Sequence, residues 1–320
     1  MDSTDAERTA EVGGLSPEHF RYLRFYAAAT LGLLVLLGAW SGREMKESQQ
    51  FQWLYHYQLD KLANLRVPAA TVFVGDSSLG NAIDANVFGE LAHAPAINLA
   101  LTGSYGYAGS YNMLRRVLRR FTPHNVVIMH TADMMQRESD DLAYLMSADD
   151  TGFSLPTWSS LPFLATAGLE YLRLIFNVNV LKSNVSYALS ATPPDNDWRY
   201  DYIAQRPQLT VTAKLVAEQS LAPGTNPDKP RFLRAIAELC RSERLNCVYV
   251  YGPLLQDICA ASGYYLAQAA QAVLASGLRV AGKQACLPAA MIGDTIDHVG
   301  PKFKADSTRF YYRVLAPLLQ

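Results

Sequence analysis

The run Asn-Val-Val-Ile-Met at 125–129 is the most constraining stretch of this chain, because it lacks the polar alternation of a strand with one wet face. Such a strand is buried on both sides. It belongs in a parallel sheet, where the crossover connections lay helices over both faces. Runs at 71–74, 96–100 and 247–251 supply further strands. Between them, 79–91, 111–121 and 231–241 have helical spacing. In 111–121, Leu114, Val117 and Leu118 oppose Arg115, Arg116, Arg119 and Arg120. Strands that alternate with helices predict an α/β fold, a doubly wound parallel sheet of right-handed βαβ units.

The N-terminus predicts an anchor. Residues 1–22 read as a polar tail, 23–42 as a transmembrane helix around the uncharged run 25–40, and 43–68 as a stalk or first packing helix. The uncharged run falls slightly short of the roughly 20 residues a bilayer core requires, and Leu23 with a snorkelling Arg24 extends it. Tyr26 and Trp40 stand near its ends, where aromatic belts lie. A cleaved signal peptide and a buried core helix are the competing readings. The long acidic-rich leader and Ala39-Trp40-Ser41 make a poor cleavage site, so retention is expected. Arg21 and Arg24 nearly balance Arg43 and Lys46, and charge counting alone leaves the orientation open.

The body, 69–320, is interrupted at about 134–219 by a stretch without the strand–helix alternation. It holds Phe153, Trp158, Phe163, Tyr171, Phe176, Tyr187, Trp198, Tyr200 and Tyr202. A segment this long is not a bare loop; it reads as a largely helical insertion, a lid or cap beside the active edge. Its aromatics suit either a cap core or a surface for stacking sugars or docking a partner. Within it, 161–181 is apolar enough to suggest a second span. Glu170, Arg173, Pro162 and Gly168 argue instead for a buried or interfacial helix.

A formal net charge of -1 lacks the basic footprint of a nucleic-acid binder. The four cysteines, Cys240, Cys247, Cys259 and Cys286, suit disulfides in an oxidising compartment. Cys259 and Cys286 bracket one helical segment and are the preferred pair; four buried thiols are the alternative. No cysteine spacing resembles a zinc site and no Gly-x-Gly-x-x-Gly follows the first strand, so neither metal nor cofactor is expected.

Chemistry is suggested where the strand at 71–74 stops at Gly75-Asp76-Ser77-Ser78 and a helix follows. A serine on such a turn holds its hydroxyl above a sheet edge, where a base can reach it. Gly103, after the second strand, can aim a backbone N–H across the same edge, and with the N–H of Ser77 would form an oxyanion hole. The base is His298. Asp294 and Asp297 are the candidate acids that fix its tautomer; the four-residue spacing of Asp294 more easily turns a carboxylate back onto the ring. His93 and His124 fall in predicted surface loops, while His130 ends the strand at 125–129 and is expected to line the site.

Gly75-Asp76-Ser77-Ser78, Gly103 and Asp294…His298 resemble, in order and spacing, the blocks of the SGNH/GDSL hydrolase superfamily. The resemblance covers roughly 72–319 outside the insertion. It implies a flavodoxin-like three-layer fold and a Ser-His-Asp site acting on esters: Ser77 as nucleophile and oxyanion donor, Gly103 as second donor, His298 with Asp294 as base and orienter. Two positions depart from the family. His130-Thr131-Ala132-Asp133 stands where Gly-x-Asn-Asp is usual, so His130 or Thr131 would have to replace the missing donor. Four residues rather than three separate Asp294 from His298, which keeps Asp297 in play.

An anchored body with an aromatic insertion is also similar to accessory proteins of bacterial envelope and exopolysaccharide O-acylation. That similarity implies a single-pass protein of the cytoplasmic membrane with its body outside, an acylated glycan as substrate and a membrane-bound O-acyltransferase as partner. The expected activity is that of a serine esterase or O-acyltransferase. The alternative is a non-catalytic SGNH-like scaffold that binds a glycan or the membrane acyltransferase. A Rossmann-type nucleotide binder is disfavoured by the missing glycine motif.

Overall fold

Seven strands and thirteen α-helices are found among the described residues. The structure, a computed structural model, describes residues 17–138, 140–148, 161–190, 199–200 and 207–319. Phe153, Trp158, Trp198, Tyr202 and most of the predicted polar tail lie outside these. The strands are β1 (Thr71–Gly75), β2 (Ala96–Asn98), β3 (Asn125–His130), β4 (Asn246–Tyr251), β5 (Pro253–Leu255), β6 (Arg279–Ala281) and β7 (Ala285–Leu287). Five of them form one parallel sheet in the order β2-β1-β3-β4-β6, and β5 pairs with β7 apart from it. The chain goes to one side of β1 to make β2 and to the other to make β3. Connections that diverge in this way leave a crevice at the carboxyl ends of β1 and β3, where ligands of open α/β sheets bind.

The helices, in chain order, are α1 (Pro17–Ser48), α2 (Gln50–Ala63), α3 (Ser77–Ala82), α4 (Ala85–Ala92), α5 (Gly106–Arg120), α6 (Asp141–Ser147) and α7 (Leu161–Ile175). There follow α8 (Val178–Ser190), α9 (Ala213–Gln219), α10 (Pro230–Ser242), α11 (Gln256–Ala261), α12 (Gly263–Ala275) and α13 (Lys304–Leu315). Successive strand residues feed opposite faces. Val72, Val74, Val126 and Ile128 pack with Leu114, Val117, Phe232, Ile236 and Tyr265 of α5, α10 and α12. Phe73, Val127 and Met129 pack with Leu79, Phe88, Tyr311 and Leu315 of α3, α4 and α13. Burial of each large apolar side chain stabilises by roughly 1.5–3 kcal/mol, so these two layers hold the sheet as a rigid support.

The helix expected over 79–91 is two helices. Asp84 breaks it, accepting the N–H groups of Asn86 and Val87 and so capping α4, while the Asn98 amide donates to the Ile83 carbonyl at the break at 2.9 Å. The stretch at 43–68 is no free stalk. The helix α1 runs to Ser48, and α2 buries Leu54, Tyr55 and Leu62 in the cores.

The insertion also differs from a simple cap. Its apolar segment forms a helical hairpin, α7 and α8, of which α7 packs on α6 and α1 and α8 on α1, rather than over the strand ends. The helix α1 is long and apolar enough, over Glu18–Lys46, to cross a membrane.

Candidate active site

Gly75 ends β1 where it passes closest to β3: a side chain there would collide with the Met129 carbonyl. Only glycine fits this approach. The chain then turns at Asp76 into α3, and Ser77 is the first residue of that helix. Asp76 is wholly buried and binds both strand ends together. Its Oδ1 accepts from Ser78 N at 3.0 Å and Ser78 Oγ at 2.7 Å, and its Oδ2 accepts from Thr131 N at 2.9 Å. Burial pushes its carboxyl up, but His130, Ser78 and Thr131 outweigh that and bring it down to about 2. Asp76 is therefore an ionised clamp under Ser77, a role missed in reading the sequence although Asp before a helix is an N-cap signal.

His130 lies beneath this turn. Its Nε2 is 3.0 Å from Ser110 Oγ and its Nδ1 is 3.5 Å from Asp76 Oδ2, an electrostatic contact longer than a good hydrogen bond. The ring is buried against Tyr107. Of the two expected substitute donors, the His130 ring is engaged by Ser110 and Asp76 and the Thr131 N–H by Asp76, while Thr131 itself lines the cavity beside the His298 loop. Ala132 is buried, with its carbonyl accepting from Tyr265 Oη at 2.7 Å.

What meets Gly103 instead is Arg137. Its guanidinium fills the space that a side chain at Gly103 would take. The same guanidinium makes a forked pair with Asp133, Nε to Oδ2 at 3.1 Å and Nη2 to Oδ1 at 3.0 Å. Burial pushes the Asp133 carboxyl up against the pull of Arg137, with Asp297 and Asp76 adding to the rise. Burial opposes the charge on Arg137, yet Asp133, Asp76 and Asp297 hold its pKa above the ordinary value. A cation ringed by carboxylates therefore stands where the strand ends converge. Arg137 lies four residues past Asp133 on a 3₁₀ turn, a position no strand or helix pattern singles out.

His298 is carried by a tight loop. An antiparallel bridge joins Ile292 to Val299, and the N–H of Gly293 donates to the His298 carbonyl at 2.7 Å. Two outside bonds fix the loop, from Leu209 N to the Gly293 carbonyl at 2.6 Å and from Leu255 N to the Ile296 carbonyl at 2.7 Å. Asp294 reaches back onto the ring: its Oδ1 is 2.9 Å from His298 Nδ1. Asp297 lies on the other side, with Oδ1 3.9 Å from Nε2, and accepts from Thr295 Oγ1 at 2.5 Å. The geometry gives Asp294 the orienting contact, and His298 is buried.

A cavity of about 330 Å³ opens between the turn after β3 and the loop that carries His298, lined by Thr131, Asp133, Arg137, Asp294 and Asp297 and by Leu209, Leu215 and Leu221; Ser77, Gly103 and His298 are not among its lining residues. Leu209 and Leu215 belong to the end of the insertion and Leu221 follows it, so among the described residues it is that end, not the α7–α8 hairpin, that walls the cavity. Tyr200 adds to it: its ring packs against Gly80 in α3, and its hydroxyl donates to the Leu101 carbonyl at 3.0 Å. Away from the edge, Cys259 is bonded to Cys286 and Cys240 to Cys247, so all four cysteines are paired.

Comparison with known protein families, with characterised proteins and with solved structures finds no match to this chain.

Proposed function

We propose that this protein is a membrane-anchored serine esterase or O-acyltransferase of the SGNH type, with a flavodoxin-like sheet and its body outside the cytoplasmic membrane. The observation that carries this reading is the Asp294–His298 hydrogen bond, on a loop whose Asp294 and Asp297 line one cavity with Thr131, the residue that bonds Asp76 just before Ser77. A carboxylate on Nδ1 fixes the tautomer that leaves Nε2 able to take a proton. The strand order, with its crevice at β1 and β3, agrees with such a site.

In the reaction, His298 Nε2 takes the proton of Ser77 Oγ as the oxygen attacks an acyl carbonyl carbon. The electron pair of the carbonyl moves onto its oxygen. The N–H groups of Ser77 and Gly103 each open a helical turn and have no partner within it, so they are suited to receive that charge. Arg137 beside Gly103 takes the part of the absent asparagine and brings a full positive charge. Collapse of the adduct expels the leaving alkoxide, which takes the proton from the imidazolium. An acyl-serine remains. Water then gives hydrolysis, and a sugar hydroxyl gives transfer to a glycan.

The paired cysteines and the apolar α1 favour a body in an oxidising, extracytoplasmic compartment. An acylated envelope or exopolysaccharide glycan is the substrate class this reading implies, with a membrane-bound O-acyltransferase as the donor partner. The test is covalent labelling by a fluorophosphonate, with acetate release from an activated ester. Labelling lost in Ser77→Ala supports the reading. A folded wild-type protein with neither label nor turnover would leave the scaffold as the better account.

A further inference from the structure

The α7–α8 hairpin lies against the one part of α1 that is packed. From Phe20 to Leu36 every side chain of α1 is exposed, and burial begins only at Leu37 and Gly38. Phe163, near the start of α7, is rooted in the core beside Tyr144. The helix then runs out along α1 until Ile175 and Phe176 meet Gly38, and α8 returns with Val180 beside Met45. The tip of the hairpin, 175–178, is thus, among the described residues of the insertion, the part that meets α1 nearest its exposed end.

Length fixes what surrounds that tip. The uncharged stretch of α1 between Arg24 and Arg43, residues 25–42, measures about 27 Å at 1.5 Å per residue. A hydrocarbon core of about 30 Å uses all of it. The lipid boundary then falls at Gly42 and Arg43, and Gly38 lies about 6 Å inside it. Whatever packs at Gly38 lies inside with it.

The hairpin is built for such a place. Leu169, Leu172 and Val178 are exposed, and Leu172 and Phe176 share with Leu31, Leu34 and Val35 of α1 one apolar groove of about 720 Å³. Several of its polar groups are matched within the protein, as lipid favours. The Ile175 carbonyl accepts from Ser41 Oγ at 2.6 Å, and the Asn177 side chain accepts from Asn179 N at 2.9 Å, capping α8. Asn184, buried, donates to Ser41 Oγ at 2.9 Å. The cations near the tip are all exposed: Arg43 and Lys46 of α1, which line the same groove, and Arg173 and Lys182 of the hairpin have long side chains that can reach the headgroups.

We propose that the α7–α8 hairpin is a second membrane element, its tip dipping among acyl chains beside α1 so that the protein is held at two points in one leaflet. This rests on the reading of α1 as a membrane span.

The test uses the full-length protein in vesicles of phosphatidylethanolamine and phosphatidylglycerol, with a nitroxide on single introduced cysteines; the native four are paired and do not react. Val178→Cys and Leu172→Cys probe the tip. Leu33→Cys reports the span, Leu189→Cys the far end of α8 and Tyr264→Cys the body. Each of these positions is at least half exposed. The expected result is oxygen-favoured relaxation, several-fold over that by a water-soluble nickel chelate, at 178, 172 and 33, and the reverse at 189 and 264. Nickel-favoured labels at 178 and 172 with an oxygen-favoured 33 would overturn the hairpin proposal and leave the anchor standing. A nickel-favoured 33 would overturn both.

Discussion

Arg137 lays its guanidinium in the space over Gly103 while its fork grips Asp133. A charged group there can follow the growing negative charge of a tetrahedral adduct better than a neutral amide, and Asp133 holds it in place. Arg137→Gln should lower kcat about 10²–10³-fold with KM little changed, the loss expected for one oxyanion donor. Lysine, which lacks the fork, should not restore it. Gly103→Ala, which pushes the guanidinium away, should act in the same direction. Steady-state kinetics on an activated ester separates kcat from KM; a raised KM at constant kcat would assign Arg137 to ground-state binding.

The two carboxylates near His298 should differ in effect. Asp294 touches Nδ1, so Asp294→Asn should cost up to about 10⁴-fold in kcat by favouring the wrong tautomer. Asp297, 3.9 Å from Nε2, does not set the tautomer, and Asp297→Asn should cost far less. Equal losses in the two variants would contradict this division.

Asp76 links stability to pH. Its carboxyl titrates at about 2 in the folded protein, below the ordinary value of 3.8. Because the folded value is the lower one, the stabilisation is full above about pH 4 and is lost as the pH falls towards 2. It amounts to roughly 2 kcal/mol. Urea unfolding of Asp76→Asn should lie below wild type by at least this much at neutral pH, and the gap should narrow as both are acidified.

The disulfides should not contribute equally. In the chain-entropy account, Cys259–Cys286, which closes 27 residues, stabilises by about 3.5 kcal/mol and Cys240–Cys247, which closes 7, by about 2.5 kcal/mol. Denaturant midpoints of the two double-alanine variants, measured with m-values, check the order.

Local chemistry explains which parts of this protein were legible beforehand. The unbroken apolar run of β3 predicts a two-sided burial, and Val126 and Ile128 do face one core while Val127 and Met129 face the other. A four-residue spacing predicts that Asp294 can fold back on His298, since that contact is made within one loop. The place of Arg137, the substitute proposed for the absent asparagine, was not legible. It depends on the path of the turn after β3, which aims Arg137 at a glycine 34 positions earlier, and sequence distance hides such meetings. The place of the insertion was hidden for a related reason. Apolar residues at 161–181 show that a face must be covered but not that α1 provides the cover.

Only Gln49 separates α1 from α2, and α2 is buried in both cores. A flexible stem would let the body sweep a hemisphere and sample acceptors at many heights above the lipid. This one has no such freedom, and a second foothold would remove rotation as well. The site would then work in a thin shell parallel to the bilayer, where its effective concentration towards a neighbouring membrane protein is high and towards distant polymer is nil. On the proposed function, the timing of acylation would then be set by when a glycan passes the site, not by where the body wanders.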